Sequence, residues 1–253
     1  MFPILFKIGP LTLHTYGFFV AMGFLLGLVW AHKVSLRRRL NPEIFHDLFF
    51  YVVIAALIGA RFFYVIINLS YFRNDFPAVF RLWEGGLVFY GGFLFAVPVF
   101  IWRVRRWQKP ILEILDVGAP ALVLAQAVGR LGCLAAGCCY GKSCEAGFAI
   151  TFSNPLSHAP LHQPLYPTQI YHSLANLTIF LILVLISRRT LQRGVLVVGY
   201  LLLYGVFRFI IEFWRGDPRG FMAGFSTSQW VSVGLVISAI LLWFFKVRKE
   251  NLV

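Results

Sequence analysis

Seven runs of mostly apolar residues, each close to the roughly 20 residues a helix needs to cross a bilayer, take up most of this chain. They fall at 14–32, 46–69, 87–102, 112–134, 168–187, 195–214 and 227–245. Lipid offers no partner for a free N–H or C=O, so each run is expected to be an α-helix. The fold class that follows is all-α: a polytopic membrane protein of about seven transmembrane helices. With 59% hydrophobic and 13% charged residues among 253, there is too little polar surface to cover a water-soluble globule. A single transmembrane domain over 1–253 is expected, with 140–166, the longest polar stretch, as an outward-facing loop or small head region.

The net charge of +13 could point to nucleic acid, but the basic residues do not form one soluble face. They gather at the ends of alternate apolar runs, as Lys33, Arg37, Arg38 and Arg39, then Arg103, Arg105, Arg106 and Lys109, then Arg188, Arg189 and Arg193, then Lys246, Arg248 and Lys249. The opposite side holds only Lys7, Arg73, Arg81, Lys142, Arg215 and Arg219. Topology explains this asymmetry, and no nucleic-acid partner is needed. By the positive-inside rule the amino terminus is outside and the carboxyl terminus cytoplasmic. Residues 1–10 lack the basic flank and small-residue cleavage pattern of a removable signal peptide, so the first span is expected to remain as an anchor.

Arg61, Arg130 and Arg208 lie inside apolar sequence, where a charge costs at least about 2.5–3.5 kcal/mol. Glu212 follows Arg208 by four residues, so the two share a helix face and can pair, and Tyr204 joins that face. Mutual neutralisation of Arg208 and Glu212, with Arg61 snorkelling to an interface, is the purely structural alternative. Arg61 and Arg130 have no acidic neighbour one turn away. An external anion is a natural partner for them, because a planar guanidinium matches the paired oxygens of a phosphate. Anionic lipid is the nearest supply.

Two glycine-rich segments depart from plain lipid-facing helix. One surrounds Gly85-Gly86 and Gly91-Gly92, where backbones can approach closely. The other runs from Gly129 to Gly141 and is too rich in glycine to read as an ordinary span. The second holds Cys133, Cys138 and Cys139, with Cys144 just beyond. The spacing C-x4-C-C-x4-C matches no standard zinc or iron–sulfur pattern. Small apolar filler, a structural disulfide such as Cys139 with Cys144, and a metal or catalytic thiol all stay open. His14, before Tyr16-Gly17 at the outer end of the first span, is either an interface residue or part of the site. No Ser-His-Asp grouping, P-loop, Rossmann glycine run or HExxH occurs.

Several motifs in order carry a resemblance over nearly the whole length. They are Ile8-Gly9-Pro10, Tyr16-Gly17, Gly59-Ala60-Arg61, Gly85-Gly86-Leu87, Gly129-Arg130-x-Gly132 continuing to Gly137 and Gly141, Pro167-Thr168-Gln169-Ile170-Tyr171, and the stretch from Tyr204 to Phe213. Together they resemble the bacterial prolipoprotein diacylglyceryl transferases. The resemblance implies transfer of a diacylglyceryl group from phosphatidylglycerol to the lipobox cysteine in the signal peptide of a preprolipoprotein, with glycerol phosphate released. It implies no metal or organic cofactor, and a multi-pass location in the bacterial inner membrane with the site toward the outer leaflet.

By position, Arg130 matches the family's signature arginine and Arg208 its second, while Tyr16, Tyr204, Gln169, Gly141 and Glu212 match further site positions. Tyr90 stands where family members often carry a histidine, and Cys133 and Cys138 replace other common signature residues. Arg130 and Arg208 are expected to stabilise the leaving phosphate, Glu212 to hold Arg208, and Tyr90 to orient the thiol or pass a proton. His14, Arg61, Gly86, Gly129, Gly132, Cys133, Gly141 and Gln169 complete the expected phosphatidylglycerol contacts. Competing readings are an anionic lipid or anion transporter or flippase, a membrane thiol oxidoreductase, and a repurposed homologue.

Overall fold

A computed structural model describes residues 2–8, 11–81, 85–218 and 220–247. The readings attached to Gly9, Pro10, Arg219, Arg248 and Lys249 lie outside these residues. A short hairpin, β1 (Ile4–Ile8) with β2 (Leu11–His14), leads into α1 (Thr15–Arg37). Then come α2 (Glu43–Ile67), α3 (Leu69–Asn74), a 3-10 turn at Phe76–Phe80, α4 (Phe89–Arg106) and α5 (Ile111–Ala136). The two-residue strands β3 (Ile150–Thr151) and β4 (Pro164–Leu165) precede α6 (Thr168–Arg189) and α7 (Val195–Ile211). A last hairpin, β5 (Phe221–Met222) and β6 (Phe225–Ser226), precedes α8 (Thr227–Leu242).

Among the described residues, six helical segments are long and apolar enough to cross a membrane. The segment expected at 87–102 is the exception. Helix α4 has 18 residues and ends on Arg103, Arg105 and Arg106. Its charge-free part, 89–102, is about 21 Å long at the helical rise, short of the roughly 30 Å hydrocarbon core. Among the described residues, three two-stranded sheets are small additions to an otherwise all-α fold.

The chain divides into two compact units, one of Met1–Val34 with Leu115–Val253 and one of Ser35–Ile114. In the larger unit, helices meet over small residues, as expected where van der Waals packing must replace a hydrophobic driving force. A Cβ on Gly23 would stand 2.7 Å from the Ala125 carbonyl oxygen, and one on Gly27 2.8 Å from that of Ala121, so α1 and α5 touch backbone to backbone. Asp116 in α5 is fully buried and accepts the backbone N–H groups of Gly194 at 2.7 Å and Val197 at 2.9 Å. It thereby supplies the cap that the start of α7 lacks locally.

Residues 137–167 form a small folded head rather than an open loop. Phe152, Ala159 and Leu165 make its core against Leu134, Tyr140 and Ile150. Antiparallel bridges join Gly141 to Arg215 and Ser143 to Leu165.

In the smaller unit α2 and α4 cross at glycine. A Cβ on Gly59 would lie 2.4 Å from the Gly91 carbonyl oxygen, and one on Gly91 2.5 Å from that of Gly59. Asp47 joins the ends of the pair, accepting from Arg103 Nε at 2.9 Å and from the Trp107 indole at 3.0 Å.

Candidate functional site

Helix α5 places the signature segment. As the expected run 112–134 has it, the helix continues through Gly129, Arg130, Gly132 and Cys133, and it ends at Ala136. A glycine inside a helix costs only about 1 kcal/mol, and Gly132 uses the missing side chain. A Cβ there would meet Phe19 Cβ at 3.0 Å and the Tyr16 carbonyl at 3.1 Å, so Tyr16 is held against the signature helix. The chain leaves the helix at Gly137, whose φ of +75° suits glycine.

The next turn is fastened to the start of α6. Thr168 Oγ1 donates to the Cys139 carbonyl at 2.7 Å and Gln169 Nε2 to the Cys138 carbonyl at 2.9 Å. Gly141 N–H donates to the Tyr166 carbonyl at 3.1 Å. Any side chain at Gly141 would collide with Tyr166 at 2.5 Å and with the Trp214 carbonyl at 2.9 Å.

Arg208 and Glu212 pair as expected, with Nη1 to Oε2 at 3.1 Å. The guanidinium reaches further, donating to His172 Nε2 at 2.8 Å and to Ser228 Oγ at 2.9 Å. For Nε2 to accept, the imidazole must be neutral with its proton on Nδ1. Glu212 takes a second hydrogen bond, from Ser226 Oγ at 2.9 Å, and lies 4.0 Å from Arg215 Nε. Arg215 is buried and grips Asp217 with two bonds of 2.8 Å. Tyr204 stacks on Tyr200 with ring centroids 5.5 Å apart, within electrostatic reach of Arg130 and Arg208.

Arg130, Arg208 and Arg215 all bear electrostatically on His172, so one buried network holds three guanidiniums against the carboxylates of Glu212 and Asp217. Among the described residues Arg130 makes no ion pair; its charged and titratable neighbours include Cys139, Tyr204, Cys133 and Arg215. Tyr16 lies within reach of Arg130 and of Cys133, Cys138 and Cys139. The cysteines are free thiols. Cys139 joins Cys133 and Cys138 with all three sulfurs within 4.8 Å of one another, rather than Cys144, with which a disulfide was one of the open alternatives. Hydrogen bonds from Cys133 and Cys138, helped by Arg215 and Arg130 and opposed by burial, hold the Cys139 thiol below its usual range.

Arg61 takes a different place from the one its sequence suggested. It is buried in the smaller unit and gives all five N–H groups to backbone carbonyls. Nε binds Val79 at 2.8 Å, Nη1 binds Gly85 at 2.7 Å and Gly86 at 3.1 Å, and Nη2 binds Ala78 at 2.5 Å and Arg81 at 3.3 Å. Neutral carbonyl dipoles thus satisfy its donors where an anion was expected. Gly85 and Gly86, at φ +84° and +76°, bend the chain so that both carbonyls face it, while Trp83 and Glu84 lie outside the described residues. Tyr90 belongs to the same unit and is 67% exposed. His14 is exposed on β2, opposite Ile4. Gly129 has open space beside it.

His172, Arg215, Asp217, Ser226 and Ser228 were not singled out as site residues by sequence. Helical spacing could have found two of them, since His172 lies three residues after Gln169 and Arg215 three after Glu212. An apolar groove of about 670 Å³ opens between α6 and α7, lined by Tyr171, Leu174, Phe207, Ile211 and Trp214 among others. Its walls belong to the helices that carry His172 and Arg208.

Membrane-length helices with a buried network of guanidiniums, carboxylates and an imidazole define a polytopic integral membrane protein with a cationic polar centre. The family model described as prolipoprotein diacylglyceryl transferase matches residues 3–245. The phosphatidylglycerol–prolipoprotein diacylglyceryl transferase of Clostridium tetani is 33% identical over 243 residues, covering 95% of this chain and 96% of the relative. A similarly named protein of Clostridium perfringens, transferase 2, is 33% identical over 253 residues and 98% of each chain. That of Halalkalibacterium halodurans is 32% identical over 250 residues, 97% of this chain and 86% of the relative. The chain belongs to the prolipoprotein diacylglyceryl transferase family.

Proposed function

We propose that this protein transfers the diacylglyceryl group of phosphatidylglycerol to the lipobox cysteine thiol of a preprolipoprotein, forming a thioether and releasing glycerol phosphate. The observation that carries the reading is the charge of the buried network, in which three guanidiniums face two carboxylates and Arg130 keeps no ion pair among the described residues. One uncompensated cation at such a centre suits the single negative charge of a phosphodiester.

In the reaction the substrate thiolate attacks the glyceryl carbon that bears the phosphate ester. The C–S bond forms, the C–O bond breaks, and its electron pair leaves on glycerol phosphate. Charge grows on that phosphate, so fixed donors in a low-dielectric site stabilise the transition state more than the ground state. Arg130 meets the phosphate directly, Arg208 adds charge from its fixed position, and Tyr16 helps hold the head group. Glu212, His172 and Ser228 hold Arg208, and Asp217 holds Arg215. Arg61 has no donor to spare and acts on the fold instead. Tyr204, Gln169, Gly132, Cys133 and Gly141 shape the pocket.

The incoming thiol has an ordinary pKa near 8.5, and guanidinium charge raises its thiolate fraction. The acyl tails stay in lipid, and the groove between α6 and α7 is suited to receive them. The basic clusters support a multi-pass protein of the bacterial inner membrane with the head 137–167 and the site outside.

The test is incubation of purified protein in phosphatidylglycerol liposomes with a lipobox peptide, followed by mass spectrometry for the diacylglyceryl thioether. Product is expected from wild type and not from Arg130→Ala. Folded wild-type protein that yields no thioether across several lipobox peptides would refute the reading.

A further inference from the structure

Cys133, Cys138 and Cys139 bring three sulfurs within 4.8 Å of one another, with Cys133 buried and the other two partly so. Zinc–thiolate bonds of about 2.3 Å place coordinating sulfurs about 3.8–4.0 Å apart, so the cluster needs to close by about 1 Å or less to grip a metal ion. We propose that these three cysteines form a binding site for a thiophilic d10 metal ion, zinc(II) or copper(I) in class, with one coordination position left open.

Three further observations support the site. The turn is rigid, because Thr168 and Gln169 hold the carbonyls of Cys139 and Cys138. The surroundings suit the filled site, since three thiolates around a divalent ion carry one net negative charge and the Arg215 guanidinium bears on Cys139. A buried polar atom beside the cluster also lacks a hydrogen-bond partner, Oε1 of Gln169, on a side chain whose other end is bonded to Cys138. Buried polar atoms left unpaired in this way mark a place where a further group is received. The sequence hides the site because Cys138 and Cys139 are adjacent. A single turn that places Cys139 at φ +60° brings both sulfurs to Cys133, five and six residues before them at the end of α5. The ion is no reactant in the proposed transfer.

Full-length protein in detergent, reduced and free of oxygen, would be titrated with cobalt(II) as a spectroscopic stand-in for zinc(II). One saturable equivalent with thiolate-to-cobalt charge-transfer absorption is expected, and zinc(II) should displace it. Cys138→Ser and Cys139→Ser should each weaken cobalt binding by about a hundredfold or more, because losing a ligand costs at least what losing an outer-shell partner does. Cys144→Ser, outside the cluster, should leave it unchanged. Arg215→Gln keeps every sulfur and should still weaken binding. No charge-transfer band in folded wild type, or a band insensitive to Cys138→Ser and Cys139→Ser, overturns the site. Equal loss in Cys144→Ser does so too. None of these outcomes depends on transferase activity.

Discussion

Arg208 Nη1 lies 2.8 Å from Nε2 of His172, so a buried guanidinium donates to a neutral imidazole instead of repelling a charged one. His172 therefore acts through Arg208, fixing the direction of a cation that Glu212 and Ser228 also hold. A hydrogen bond to a charged group contributes about 1.5–3 kcal/mol. His172→Leu should lower kcat for diacylglyceryl transfer by roughly tenfold to a hundredfold, with a smaller change in KM for the peptide. His172→Gln, which keeps an acceptor, should recover most of that loss. Equal defects in the two variants would remove His172 from this role.

Arg61 and Arg130 are both arginines inside apolar sequence, yet opposite phenotypes are expected. Arg61→Ala strands five carbonyls and should lower thermal stability in detergent clearly, since each buried group left unpaired costs about 1–3 kcal/mol. Arg130→Ala should leave the melting temperature nearly unchanged and remove transfer. Thermal unfolding and a transfer assay on the same samples separate the two.

Asp116→Ala should destabilise the protein by about 1–2 kcal/mol, the usual cost of a lost helix cap, because two N–H groups at the start of α7 lose their acceptor. Transfer per folded molecule should stay near normal at low temperature. A variant as stable as wild type would mean that water replaces the carboxylate.

Gly141→Ala forces a methyl group into two backbone carbonyls, at 2.5 Å from Tyr166 and 2.9 Å from Trp214. Overpacking of this kind costs about 1–3 kcal/mol. The strain falls on the bridge from Gly141 to Arg215, so transfer should fall at temperatures where the variant is still folded.

The helices were legible because lipid imposes one rule on every span, and five of the six membrane-length segments begin and end within three residues of the expected runs. The first, Thr15–Arg37, runs five residues further, since nothing in its last turn breaks a helix. The Arg208–Glu212 pair was legible from spacing alone. The partners of Arg61 were not legible because they are carbonyls, and every residue carries one, so no pattern of side chains announces them. The cysteine cluster was hidden for a related reason, as its geometry depends on one left-handed residue. The glycine-rich segment that begins at Gly129 stays helical to Ala136, in line with the expected run 112–134, and Gly132 packs there on Tyr16.

The crossing of Gly59 and Gly91 leaves no room for a methyl group on either side. Neither position can drift alone, because each glycine protects the other's carbonyl, and a gain of side chain at one is not relieved by any change at its partner. The lipid-facing positions of the same two helices can exchange one apolar residue for another. Over evolutionary time the smaller unit should therefore keep two fixed points in a changing surface, and a sequence carrying a larger residue at either point would have to hold α2 and α4 at a different spacing.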